Sequence, residues 1–223
     1  MNCAKDARKL ADFLINIQNG DIEIRHANKF SYYHIGALFT DVVLQAGLNY
    51  NTVVKPRVQK ILLDYSDYST LTKFRSLMDR EGLSEIIMWK HFEKLERFER
   101  LVEFAAFNHI ETCYDMRFFF ERKGSYDQFL SIKGFGPKSL DYMLKLLNVD
   151  SVAVDRHIYS FVKMADIQTR GYQETKRVVE FAADFLNIPR STVDQIIWDY
   201  MSKKKYQQTS HDIQGVLEFL KQC

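Results

Sequence analysis

Lys138 is the residue in this chain best placed for covalent chemistry, because of what stands on either side of it. It follows Ile132-Lys133-Gly134-Phe135-Gly136-Pro137, and further on Asp155 ends the apolar run Ser151-Val152-Ala153-Val154. Two glycines permit a tight reversal and leave no side chain in the way of a close backbone approach. Pro137 suits the first turn of a following helix, where its missing amide hydrogen costs nothing. The unpaired amides and the dipole at such a helix start can hold a phosphate. A lysine in that first turn meets the positive helix end, which favours the neutral amine that nucleophilic attack requires. Asp155 precedes the helix-like Arg156-His157-Ile158-Tyr159 and suits an N-cap. A capped carboxylate is a fixed negative charge that can stabilise a cationic transition state and help an amine lose its proton. Each feature has a plain alternative: an ordinary glycine turn, a solvated lysine, a purely structural cap.

The elements that must position these residues read as helices. Helices near 125–131 and 137–147 flank the glycine turn. Upstream, the pattern predicts helices over about 3–18, 32–46 with Gly47 as its stop, 51–64, and 69–80 opened by Ser69 or Thr70. Residues 84–113 read as mostly helical, with Glu93-Lys94, Glu96-Arg97 and Glu99-Arg100 as a solvated face. Phe118-Phe119-Phe120 fits a core better than a stacking platform. Further helices are expected near 156–165, 172–186, 190–202 and 210–221, with Ser191 and Ser210 as caps. Asp21 to Phe30 is ambiguous between an extended piece and a loop.

The whole chain agrees with this reading. Among 223 residues only 3 are proline and 9 glycine, leaving long stretches without helix breakers, so an all-α fold is expected. A hydrophobic share of 46% argues for a packed core and against disorder. The formal charge of +2 is too small to diagnose a nucleic-acid binder by itself. Cys3, Cys113 and Cys223 are far apart and odd in number, which suggests neither a disulfide framework nor a four-thiolate metal site. With no apolar leader and no uncharged stretch of spanning length, a soluble intracellular protein without membrane association is expected. Neither repeats nor low-complexity linkers divide the chain. Its ends, 1–30 and 160–223, are expected to form one helical lobe, and 31–159 a central helical barrel with the hairpin at 126–147.

Residues 130–158 resemble the signature of the helix-hairpin-helix DNA glycosylase superfamily. The family's Leu-Pro-Gly-Val-Gly-x-Lys-Thr-Ala is similar to Ile132-Lys133-Gly134-Phe135-Gly136-Pro137-Lys138-Ser139-Leu140, and its Val-Asp-Thr-His-Val to Val154-Asp155-Arg156-His157-Ile158. Lys133, Leu140 and Arg156 depart from the usual proline, alanine and threonine. More loosely, Phe39-Thr40-Asp41-Val42-Val43-Leu44-Gln45 resembles the early helix that ends in a glutamine near the DNA, and Ile196-Ile197-Trp198 a late helix of several branches.

The resemblance implies an all-α, two-lobed glycosylase fold and a monomer acting on double-stranded DNA that contains a damaged base. Lysine at position 138 implies the bifunctional branch, in which the lysine displaces a flipped-out base and the resulting Schiff base nicks the strand; the alternatives are a monofunctional glycosylase for another lesion and a non-catalytic helix-hairpin-helix DNA-binding module. Asp155 would support that attack. Lys133, Gly134, Phe135, Gly136, Ser139 and Gln45 would contact DNA, and Tyr142 and Trp198 could stack on the flipped base. A base of the 8-oxoguanine type is the leading substrate, with oxidised pyrimidines and mismatched uracil or thymine open. No cofactor is required by this chemistry. The backbone carbonyls of Leu130, Ile132 and Phe135 would map to a family site for Na+ or K+, and no iron–sulfur cluster is expected without the C-terminal four-cysteine set.

Overall fold

A computed structural model describes residues 3–17 and 32–203. Every regular element among the described residues is a helix, and none is a strand. The chain divides into one compact unit formed by Met1–Asn28 with Asp150–Cys223 and a second formed by Lys29–Val149. The division falls before the apolar run that leads to Asp155, whereas the sequence places it near 159. Lys138 and Asp155 therefore belong to different units.

In the Lys29–Val149 unit, α2 (Ile35–Leu44) is buried along its whole length, including its polar residues Thr40 and Asp41. A helix apolar on every side belongs in the interior. His34 caps it, Nδ1 accepting the Ala37 amide at 3.2 Å. Gly47, with φ +81°, follows its end as the sequence predicts. α4 (Leu71–Glu81) crosses at Gly36, where an added Cβ would meet the Phe74 ring at 2.2 Å. Thr70 rather than Ser69 caps α4.

Two expectations are corrected here. Residues 50–64 open with a π-helical turn, Tyr50–Val54, before α3 (Lys55–Asp64). The 84–113 stretch is broken into α5 (Leu83–Ile86) and α6 (Phe92–Phe107), with residues 87–91 between them, before α7 (Cys113–Phe119). α7 buries Phe119, and Phe120 is buried just past its end, while Phe118 is 51% exposed. The hairpin helices α8 (Ser125–Leu130) and α9 (Pro137–Leu146) follow.

In the other unit, α1 (Cys3–Ile17) packs along α11 (Gly171–Leu186), with α10 (Arg156–Met164) and α12 (190–203) completing a separate core. Ser191 does not cap α12. The carboxylate of Asp150 does so from 40 residues away, accepting the Arg190 and Ser191 amides at 3.1 and 3.0 Å. The expected segments 21–30 and 210–221, with Ser210, lie outside the described residues. No described helix is long and apolar enough to cross a membrane.

Candidate active site

The hairpin has the local form its residues predict. Gly134 takes φ +95°, a backbone conformation that L side chains rarely adopt, and the Phe135 amide closes the turn onto the Ile132 carbonyl at 3.1 Å. Phe135 is buried with its ring 5.3 Å from that of Phe129, so the side chain anchors the turn and only its backbone is offered outward. α9 then starts at Pro137 with Gly136 as N-cap and no side-chain capping bond. Its first-turn amides are left for another acceptor. Lys138 and Ser139 are half-buried in that turn, and Lys133 is exposed.

Gly134 and Gly136 serve different purposes, which gives a direct test. A Cβ at Gly134 would be strained by its φ and would meet Arg97 side-chain atoms from 2.8 Å. At Gly136 the φ is −129° and nothing lies within 4 Å. Gly134→Ala is expected to lower unfolding free energy by about 1–3 kcal/mol. Gly136→Ala should leave the denaturation midpoint nearly unchanged, since the added methyl group meets no atom within 4 Å among the described residues. Chemical denaturation of the two variants checks the contrast.

α6 contributes what the sequence treats as a solvated face. Its glutamates Glu93 and Glu99 are exposed, but Lys94, Arg97 and Arg100 are half-buried and turned toward neighbouring backbone. Arg97 lies against Gly134, and Arg100 donates to the Lys133 carbonyl at 3.3 Å while pairing with Glu96. Lys94 Nζ donates to the Val43 and Ala46 carbonyls at 2.7 and 2.8 Å, capping the end of α2. Burial, with the nearby charges of Arg97 and Lys138, pulls its pKa down to about 8. Arg97 and Lys133 thus flank the hairpin turn, while the charge of Arg100 is balanced by Glu96.

Beneath the hairpin helix lies the most unusual chemistry of this unit. Asp41, with no exposed surface, accepts the hydroxyls of Tyr32 at 2.6 Å, Tyr142 at 2.8 Å and Tyr50 at 3.5 Å. Burial pushes its carboxyl pKa up, and the three phenols partly offset that. In turn, burial and the facing carboxyl raise Tyr32 and Tyr142, and push Tyr50 up to about 12. Tyr142 is one helical turn past Lys138. Its hydroxyl is committed to Asp41, while its ring is half-buried. Gln45, one turn past Asp41, has a buried amide nitrogen with no partner among the described residues. An acid inside the apolar run Ile35–Leu44 signals this cluster in the sequence; Lys94 has no such signal, because its partners lie about 50 residues away.

The other unit holds Asp155. Its Oδ1 accepts the amides of His157 and Ile158 at 2.8 and 3.1 Å, and its Oδ2 lies 3.0 Å from His157 Nδ1. The approach is fixed as well: Asp194 accepts the Ala153 amide at 2.9 Å and the Tyr172 hydroxyl faces the Val154 amide at 3.3 Å. Trp198 stands edge-on to His157 with ring centres 6.4 Å apart. Asp155 is held by its cap and still 23% exposed.

Among the described residues, no group of three or more His, Cys, Asp or Glu is placed to hold a metal ion. Cys113 is buried, which pushes its thiol up to about 12 and makes it a poor nucleophile. Family models, curated proteins and solved structures contain no match to this chain.

Proposed function

We propose that this protein is a DNA base-excision N-glycosylase with an associated strand-nicking lyase activity. The observation that carries the proposal is the start of α9: a glycine turn, amides without a side-chain cap, and Lys138 half-buried in the same turn. Backbone amides, with Arg97 and Lys133 beside them, would hold phosphates next to an extruded nucleotide.

The Lys138 lone pair would attack the sugar C1′ as the glycosidic bond breaks, the base leaving with the electron pair and taking up a proton. Loss of the remaining amine proton and ring opening would give the imine. Removal of a C2′ proton would then expel the 3′ phosphate, leaving a nick. Asp155, its Oδ1 held by the His157 and Ile158 amides, would stabilise the positive charge that develops on the sugar. The half-buried rings of Tyr142 and Trp198 would offer faces to the flipped base, and 8-oxoguanine is the leading substrate. A monovalent cation would sit on the Leu130, Ile132 and Phe135 carbonyls; Ile132 already accepts one amide and keeps a second lone pair for it.

A panel of end-labelled duplexes, each with one lesion, tests this reading. One lesion should be excised and the strand nicked at it without added alkali. Asp155→Asn should slow excision by about 100-fold or more, the scale of a lost charge-stabilising group. Base release on every duplex without nicking would replace this reading with a hydrolytic glycosylase, and no release on any would remove the enzymatic reading altogether.

A further inference from the structure

The Lys29–Val149 unit carries a second feature that the hairpin chemistry does not use. Two clefts flank Tyr114 of α7. The larger, about 360 Å3, is lined by Tyr33, Tyr114, Arg117 and Leu147 among others; the smaller, about 170 Å3, by His109, Tyr114, Phe118 and Arg122. Leu147 directly follows α9, so the larger cleft lies at the helix end opposite Lys138, about 15 Å away at 1.5 Å per residue.

Tyr114 and Phe118 stand one turn apart on α7, with ring centres 5.9 Å apart and 31° between planes. They are 70% and 51% exposed. The guanidinium of Arg117, between them in sequence, makes no hydrogen bond or ion pair among the described residues, and that of Arg122 lies 5.8 Å from the Phe119 ring centre. Asp115, which lines the smaller cleft, forms no ion pair with either guanidinium among the described residues. Its Oδ2 is committed to the amides of Glu111 and Thr112 and to the Thr112 hydroxyl. Bare aromatic faces interleaved with unneutralised guanidiniums suit a base with its own phosphate better than a purely apolar partner. The buried side of α7 is tied to the hairpin by the ring contacts Phe119–Phe120, Phe120–Phe129 and Phe129–Phe135.

We propose that this face binds a single-stranded stretch of nucleic acid, with bases stacked on Tyr114 and Phe118 and phosphates on Arg117 and Arg122. The proposal stands apart from the glycosylase reading. Its test uses the full chain and a fluorescein-labelled oligothymidylate of about twelve nucleotides, within the usual site size. Tyr114→Ala and Phe118→Ala should each weaken binding about tenfold, and Tyr114→Phe should not. Arg117→Gln should flatten the dependence of affinity on salt. Three results would overturn the proposal: no binding by the wild-type chain, wild-type binding by the Tyr114→Ala/Phe118→Ala double variant, or displacement by polyglutamate as effective as by unlabelled oligonucleotide. The last would point to an acidic protein partner instead.

Discussion

Lys138→Ala is expected to lower strand nicking at the preferred lesion by about three orders of magnitude or more, the scale at which loss of a covalent nucleophile acts. Its effect on binding should be small. Phosphate contacts would be spread over hairpin amides, Arg97 and Lys133, so one lost cation should change duplex affinity only a few-fold. That contrast is the point of the experiment. A lysine that merely contacts phosphate would weaken binding and nicking together, whereas a nucleophile separates them. Lys138→Ala tolerates the substitution structurally, because the side chain is half-buried and alanine is favourable in a helix. Base release measured beside nicking distinguishes the two chemistries: the proposed route loses both, while a water-activating mechanism keeps release.

Asp41→Ala is expected to be the most destabilising single change in the Lys29–Val149 unit outside its apolar core. It would leave the hydroxyls of Tyr32 and Tyr142 buried without their acceptor. At about 1–3 kcal/mol for each stranded donor, the loss should be about 4 kcal/mol, a large part of a domain's stability. Asp41→Asn separates the bonds from the charge. In the wild type the folded carboxyl has a raised pKa, so the folded state holds its proton more tightly than the unfolded state does. The contribution of Asp41 is then fully present below its ordinary value of 3.8 and is lost as pH rises through the folded value. Wild-type stability should therefore fall relative to Asp41→Asn as pH is raised from about 4 toward neutrality. Denaturation midpoints for both proteins across that range check the sign.

Much of the fold is legible locally because local chemistry determines it. Thr70, Asp155 and Pro137 start their helices with side chains or ring geometry that act within the same turn. Gly134 and Gly47 take the positive φ that their positions in turns require. The failures are places where a distant group takes over. Ser191 reads as a cap, yet Asp150 supplies the acceptor from another part of the chain. The apolar and charged periodicity of 84–113 runs unbroken through the α5–α6 junction. Nothing nearby reveals that Trp89 sits beneath the Arg57 guanidinium there, 5.3 Å from its ring centre.

The same distinction applies to the candidate site. Lys138, the glycines and Asp155 stand out because a short motif holds each of them. Lys94, Arg97 and Arg100 resemble any charged helix face until α6 is packed beside the hairpin and the end of α2. Asp41 is conspicuous as an acid in an apolar run, but its three phenols come from positions 32, 50 and 142, a set no periodicity connects.

The most direct test of the central claim is peptide mapping of the protein after borohydride treatment with the lesion-bearing duplex it cleaves. The account predicts one stable protein–DNA adduct, with the sugar remnant on the Nζ of Lys138. A remnant on another lysine, or efficient nicking with no reducible adduct, would contradict it.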